Sequence, residues 1–219
     1  TGLALELILS NRIQTQGGQH VSQTKHPDQK FSLSILEKYN FKEKIALQWA
    51  NRSHKIIVLE LFLRPKLEEG SQFEKDCAFL VEQWVFELSE PAFHNFKNTI
   101  DSIESLKLKL AVVLRSISVL CATLPLSRGF LQENFLAPFK IDFSCKFSFR
   151  SLQNWHPEVT EQSLLSSYTN DDLVVPGRTY SFKVNYVKNL ENYIFRILPN
   201  KVRCLLFCPL QFFIFRFLK

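Results

Sequence analysis

Two hydrophobic periods alternate along the chain, and they divide it into strands and helices. Between residues 139 and 149, Phe139, Ile141, Phe143, Cys145, Phe147 and Phe149 alternate with Lys140, Asp142, Ser144, Lys146 and Ser148. A strict period of two predicts a strand with one dry and one wet face. TYSFKVNYV, residues 179–187, repeats the pattern with Tyr180, Phe182, Val184 and Tyr186 on one side. IIVLELFL, residues 56–63, is apolar on both faces except at Glu60, as a strand buried between two layers would be. In LVEQWVFELSE, residues 80–90, Leu80, Trp84, Phe86 and Leu88 fall on one face, interrupted only by Glu82. Phe79, Val81, Gln83, Val85 and Glu87 fall on the other. These two strands predict a hairpin with a long loop, punctuated by Pro65 and Gly70.

The helical period dominates elsewhere. Leu3, Leu5, Ile8, Leu9 and Ile13 predict a first helix, taken as truncated at its start, followed by a loop at Gly17, Gly18 and Pro27. Residues 31–53, with Ile35, Leu36, Tyr39, Ile45, Leu47 and Trp49 among charges, predict one helix or two short ones. From Phe93 to Leu124 apolar residues recur every three or four positions: Phe96, Ile100, Ile103, Leu106, Leu110, Val113, Leu114, Ile117, Cys121 and Leu124. The opposite side turns apolar too, with Leu108, Val112 and Val119, so this long central helix is expected to be buried on two sides, between sheet and other helices. Residues 150–178 are polar, contain Pro157, Pro176 and Gly177, and read mainly as an excursion. The order of elements is that of an α+β fold.

Composition changes this picture little. The chain has 219 residues, 46% of them hydrophobic, with 21 Phe and 6 Gly, which suits one densely packed domain. Charge changes it more. The net charge is +6, but Arg196, Lys201, Arg203, Arg216 and Lys219 account for +5 and leave +1 for everything before residue 196. A nearly neutral body has no electrostatic footprint for nucleic acid. The organisation expected is therefore a domain over residues 1–195 and an apolar, basic tail over 196–219 that is not part of it. VRCLLFCPLQFFIFRFL, residues 202–218, is broken by Pro209, Gln211 and Arg216 and falls short of the roughly 20 residues that span a bilayer. Five cysteines, at positions 77, 121, 145, 204 and 208, are odd in number and show no CxxC spacing. With no basic run before the apolar start of the chain, they point to a reducing compartment, the cytosol.

Catalytic signatures are absent: GxSxG, GxxxxGK[ST], GxGxxG and HExxH do not occur, and an enzyme is not expected. His20, His26, His54, His94 and His156 fall mostly in loops without a repeated partner, and no metal or other cofactor is expected. Glu82 and Glu87, five apart on a strand, point to opposite faces, cannot share a proton and read as strand-edge or interface charges. Trp84 reads as core. Arg115 on the long helix, Arg128 just after it and Arg178 at the start of a strand are the candidate anion-binding residues, since three guanidiniums can grip a phosphate or carboxylate if they converge.

With the elements in this order, the chain resembles the HORMA domains of the autophagy-related protein 13 family. The likeness rests on LALELILSNRI, on the strand LVEQWVFELSE, on the long helix LAVVLRSISVLCATLPLSR running into a Leu-Pro…Leu-Ser-Arg turn, and on the strands FKIDFSCKFSF and GRTYSFKVNYV. It covers about residues 1 to 190, and its specificity lies in the ordered set. The resemblance implies three helices packed on a mainly antiparallel sheet, and a non-enzymatic adaptor of the autophagy-initiating protein kinase complex, cytoplasmic and at the phagophore assembly site. Implied partners are a second HORMA protein, autophagy-related protein 101, and autophagy-related protein 9 vesicles, so that membranes are met only indirectly. Some members of the family are proposed to hold an anion through basic residues, for which Arg115 and Arg128 lie in the matching helix and turn. The family usually continues into a long kinase-binding region, where this chain has its apolar tail. The alternatives are a HORMA adaptor of the checkpoint or chromosome-axis type that closes on a partner peptide, and a small membrane-associated protein anchored by its tail.

Overall fold

The computed structural model describes residues 1–17, 41, 43, 56–66, 78–89, 103–131, 136, 138–148, 164–170, 173–175 and 178–197. Expectations for the helical stretch 31–53 (apart from Phe41 and Glu43, both helical), the start of the long helix before residue 103 and the tail from 198 onward lie outside them. The elements are α1 (Gly2–Gly17), β1 (Ile56–Pro65), β2 (Phe79–Ser89), α2 (Ile103–Thr123), α3 (Pro125–Leu131), β3 (Phe139–Ser148), β4 (Leu165–Thr169), β5 (Leu173–Val175), β6 (Arg178–Val187) and α4 (Leu190–Ile197). The fold is α+β, with an antiparallel sheet in the order β3-β1-β2-β6-β4 and with β5 also paired to β6.

The period-two residues meet as pattern alone suggests. Ile57, Leu59 and Leu61 of β1 stand opposite Phe86, Trp84 and Glu82 of β2, and opposite Phe147, Cys145 and Phe143 of β3. Phe182 and Val184 of β6 continue the same face beside Phe86 and Trp84, and Trp84 stacks on Phe182 with ring centroids 6.3 Å apart. One register departs from the alternation. A β-bulge opposite Leu61 and Phe62 lets β2 spend an extra residue between Glu82 and Leu80. Phe79 and Val81 therefore join the core, whereas Leu80 pairs with Phe62 and lies outside it. The unbroken alternation expected for this strand had assigned those three residues the other way.

Three further expectations change. The stretch 150–178 holds β4 and β5, which cover the outer edge of β6 in two pieces: Thr169 pairs with Lys183 and Leu173 with Tyr180, so four residues on one side span three on the other. The Leu-Pro…Leu-Ser-Arg turn is the short helix α3, which begins at Pro125; proline lacks the N–H that would continue α2 and suits a first helical position. The long helix runs unbroken from Ile103 to Thr123, but its burial is one-sided: Val113, Ile117 and Cys121 are buried, as is Leu124 just beyond it. α1 takes the sandwiched place. All six residues from Ala4 to Leu9 are buried, and α1 packs against α2 and also meets β3. Over Ala4 to Leu9 only Glu6 is polar, so this stretch can be enclosed on every side.

Candidate functional site

Arg12 points from the second half of α1 into the core and is 0% exposed; Glu82 of β2 meets it at 1% exposure. The guanidinium fork grips the carboxylate from two sides: Nη2 donates to Oε1 at 2.7 Å and to Oε2 at 3.0 Å, and Nε donates to Oε2 at 3.2 Å. Nη1 turns the other way, donating to the Cys121 carbonyl at 2.6 Å and to Ser127 Oγ at 2.8 Å. Ser127 Oγ in turn donates to the same carbonyl at 2.6 Å, and the Trp84 indole N–H donates to Glu82 Oε2 at 3.1 Å. One cluster thus ties α1, β2, the end of α2 and α3. The Cys121 carbonyl is one of those that a helix end leaves without an intrahelical partner, and the cluster satisfies it. Every donor of Arg12 has an acceptor, so two charges are held out of water without an orphaned group.

This arrangement corrects the reading of Glu82 as a rim charge. Glu87 is exposed, while Glu82 is sealed by a cation and an indole, and a substrate proton has no route to it. Burial pushes the Cys121 thiol up to about 12, against a smaller opposing pull from Arg12, so this sulfur is a poor nucleophile at neutral pH. Trp84 is core, as expected. Arg12 carried no signal in sequence, since its partners lie 70 and 115 residues away.

The other face of the sheet carries a second polar row. Gln83 Nε2 donates to Glu60 Oε1 at 3.3 Å, Asn185 Nδ2 donates to Gln83 Oε1 at 3.1 Å, and Lys146 Nζ closes on Glu60 Oε2 at 2.6 Å. Side chains from β3, β1, β2 and β6 are joined in one line across the strands. The row accounts for the one polar residue in the apolar run of β1.

The structure places the three expected anion-binding arginines on three separate elements. Arg115 is exposed midway along α2, and Arg128 is exposed on α3 next to the buried Ser127. Arg178 opens β6, eight residues before Tyr186, which pairs with Glu82. Apolar side chains of α2 reach solvent too: Leu108, Val112 and Val119 are 54%, 60% and 60% exposed and recur on the side opposite Val113, Ile117 and Cys121, and Leu110, expected on the buried stripe, is exposed as well. Lys107, Lys109 and Arg115 accompany them. Among the described residues no group of three His, Cys, Asp or Glu could hold a metal ion, and no helix is long and apolar enough to cross a membrane.

No protein-family model matches the chain, and no curated protein matches it. Its fold is similar to solved structures. The Atg13 HORMA domain aligns over 84% of this chain and 87% of that one, at 12% identity and a TM-score of 0.46. A chain of the Mitotic Checkpoint Complex aligns over 85% and 90%, at 11% identity and a TM-score of 0.45. C. elegans HTP-1 bound to the HIM-3 closure motif aligns over 84% and 85%, at 12% identity and a TM-score of 0.42. These neighbours are HORMA domains. Likeness at this level does not choose between them.

Proposed function

We propose that this chain is a non-enzymatic adaptor that works by protein–protein contact as a regulatory subunit of the autophagy-initiating protein kinase complex. The observation that carries the reading is where the family-like segments meet. LALELILSNRI supplies Arg12, LVEQW supplies Glu82 and Trp84, and LCATLPLSR supplies the Cys121 carbonyl and Ser127, all within one closed hydrogen-bonded cluster. Segments far apart in sequence are thus physically dependent on one another, which gives their joint occurrence a structural reason that composition alone would not supply. Two features support an adaptor: the polar core groups are engaged in holding the fold, and the longest described helix offers solvent an apolar stripe.

On this reading the partners are autophagy-related protein 101 as the second HORMA protein, the kinase complex, and autophagy-related protein 9 vesicles. The site of action is the phagophore assembly site in the cytoplasm, where membranes are met through partners and not through the tail. The test is a pull-down of the tagged chain from cells, scored for the initiating kinase complex, beside a variant lacking residues 200–219. Recovery of kinase-complex subunits by both forms is the expected result. Recovery of checkpoint or chromosome-axis proteins instead would overturn the autophagy assignment and keep the adaptor, and loss of membrane association on deleting the tail would favour an anchored protein.

A further inference from the structure

α1 poses a problem of uniqueness. Six consecutive residues, Ala4 to Leu9, are buried, and they span more than one and a half turns, so every side of the helix is covered. A stretch as apolar around its circumference as Ala4 to Leu9 gives up little burial when it rotates about its axis, and apolar contact there sets its position loosely. Two buried polar side chains remove that freedom. Near the start, Glu6 Oε1 accepts the backbone N–H of Phe41 at 3.1 Å. Further along, Arg12 engages Glu82, Cys121 and Ser127 as described. Sliding α1 by one turn would carry Arg12 about 5.4 Å, enough to break all of those bonds and leave Glu82 buried without its counter-charge, held by the Trp84 N–H alone.

We infer that Glu6 and Arg12 form an orientation lock for α1, selecting the one rotation and register in which it docks rather than adding net stability. Replacing a buried ion pair with apolar residues of similar volume is often neutral or stabilising, because desolvation of the two charges offsets their attraction, whereas removing one partner is strongly destabilising. The clamp also joins the end of α2 to α3, so the lock fixes the α2–α3 corner together with α1.

The experiment compares Arg12→Met, Glu82→Leu and the double variant in the full chain, by thermal unfolding, amide NMR spectra and hydrogen exchange. Each single variant is expected to lower the melting midpoint by about 10 °C or more. The double variant should recover most of that loss, yet show several sets of amide signals for α1, and exchange at least about tenfold faster in α1 and α3 than the parent chain. A double variant no more stable than the weaker single, folded or not, would make the pair a net stabiliser and overturn the inference. A stable double variant with one set of signals and parental protection would overturn it too, by showing that apolar packing orients α1 unaided.

Discussion

α1 and α2 look alike in sequence and fare differently in the fold. Both carry apolar residues around most of their circumference, yet α1 is enclosed from Ala4 to Leu9, while α2 buries Val113, Ile117 and Cys121 and leaves Leu108, Val112 and Val119 in water. The difference follows from polar anchors. α1 is enclosed over Ala4 to Leu9, and its two buried charges find partners on Phe41 and Glu82. α2 has 21 described residues, and its outer flank mixes Leu108, Val112 and Val119 with Arg115. All-round hydrophobicity thus measures what a helix can bury, and the buried charges mark which helix is enclosed.

The comparison breaks most visibly at the clamp. Glu82→Ala leaves Arg12 buried without its counter-charge and should lower stability by about 3–5 kcal/mol in chemical denaturation; a loss below about 1 kcal/mol would mean that the ion pair is not sealed. Ile8→Ala on α1 and Ile117→Ala on α2 should each cost about 2–5 kcal/mol, since both side chains are fully buried. Similar losses at the two sites would show that the buried side of α2 is packed as tightly as α1, and a much smaller loss for Ile117 would sharpen the contrast.

Alkaline titration probes the same corner with a smaller effect. Cys121 keeps its proton up to about 12 when folded, above the ordinary thiol value of 9.0. The unfolded chain therefore releases that proton first, and the thiol's contribution is complete below pH 9 and lost as the pH rises through 9 towards 12. The melting midpoint should fall across that range, and Cys121→Ala should flatten the fall; an unchanged slope would locate the alkaline sensitivity elsewhere. The smallest effect is expected on the outer flank of α2. Val112→Ser together with Val119→Ser should alter stability by less than about 0.5 kcal/mol per site while weakening recovery of partners in the pull-down, a split that no substitution on α1 should reproduce.

Much of the fold could be read from the chain because β1, β3, β6 and the described part of α2 obey simple periods. What escaped did so for identifiable reasons. β4 is a five-residue edge strand with Ser167, Tyr168 and Thr169 exposed, so no dry face marks it. The bulge in β2 shifts the alternation by one residue at Val81, and period-two counting cannot detect an inserted residue. Glu82 stood out as the polar interruption of an apolar face, but the sign of its solution lay on Arg12, at a contact no local pattern encodes.

The divided border along β6 has a bearing on solubility. An outermost strand with a long, regular row of free amides and carbonyls invites a neighbouring molecule to extend the sheet. Here that border is shared between β4 and β5, out of step by one residue, so an incoming strand would meet two short, mismatched templates. Straightening the junction, by deleting one residue between Thr169 and Leu173, would be expected to make the protein stickier without making its interior any stronger.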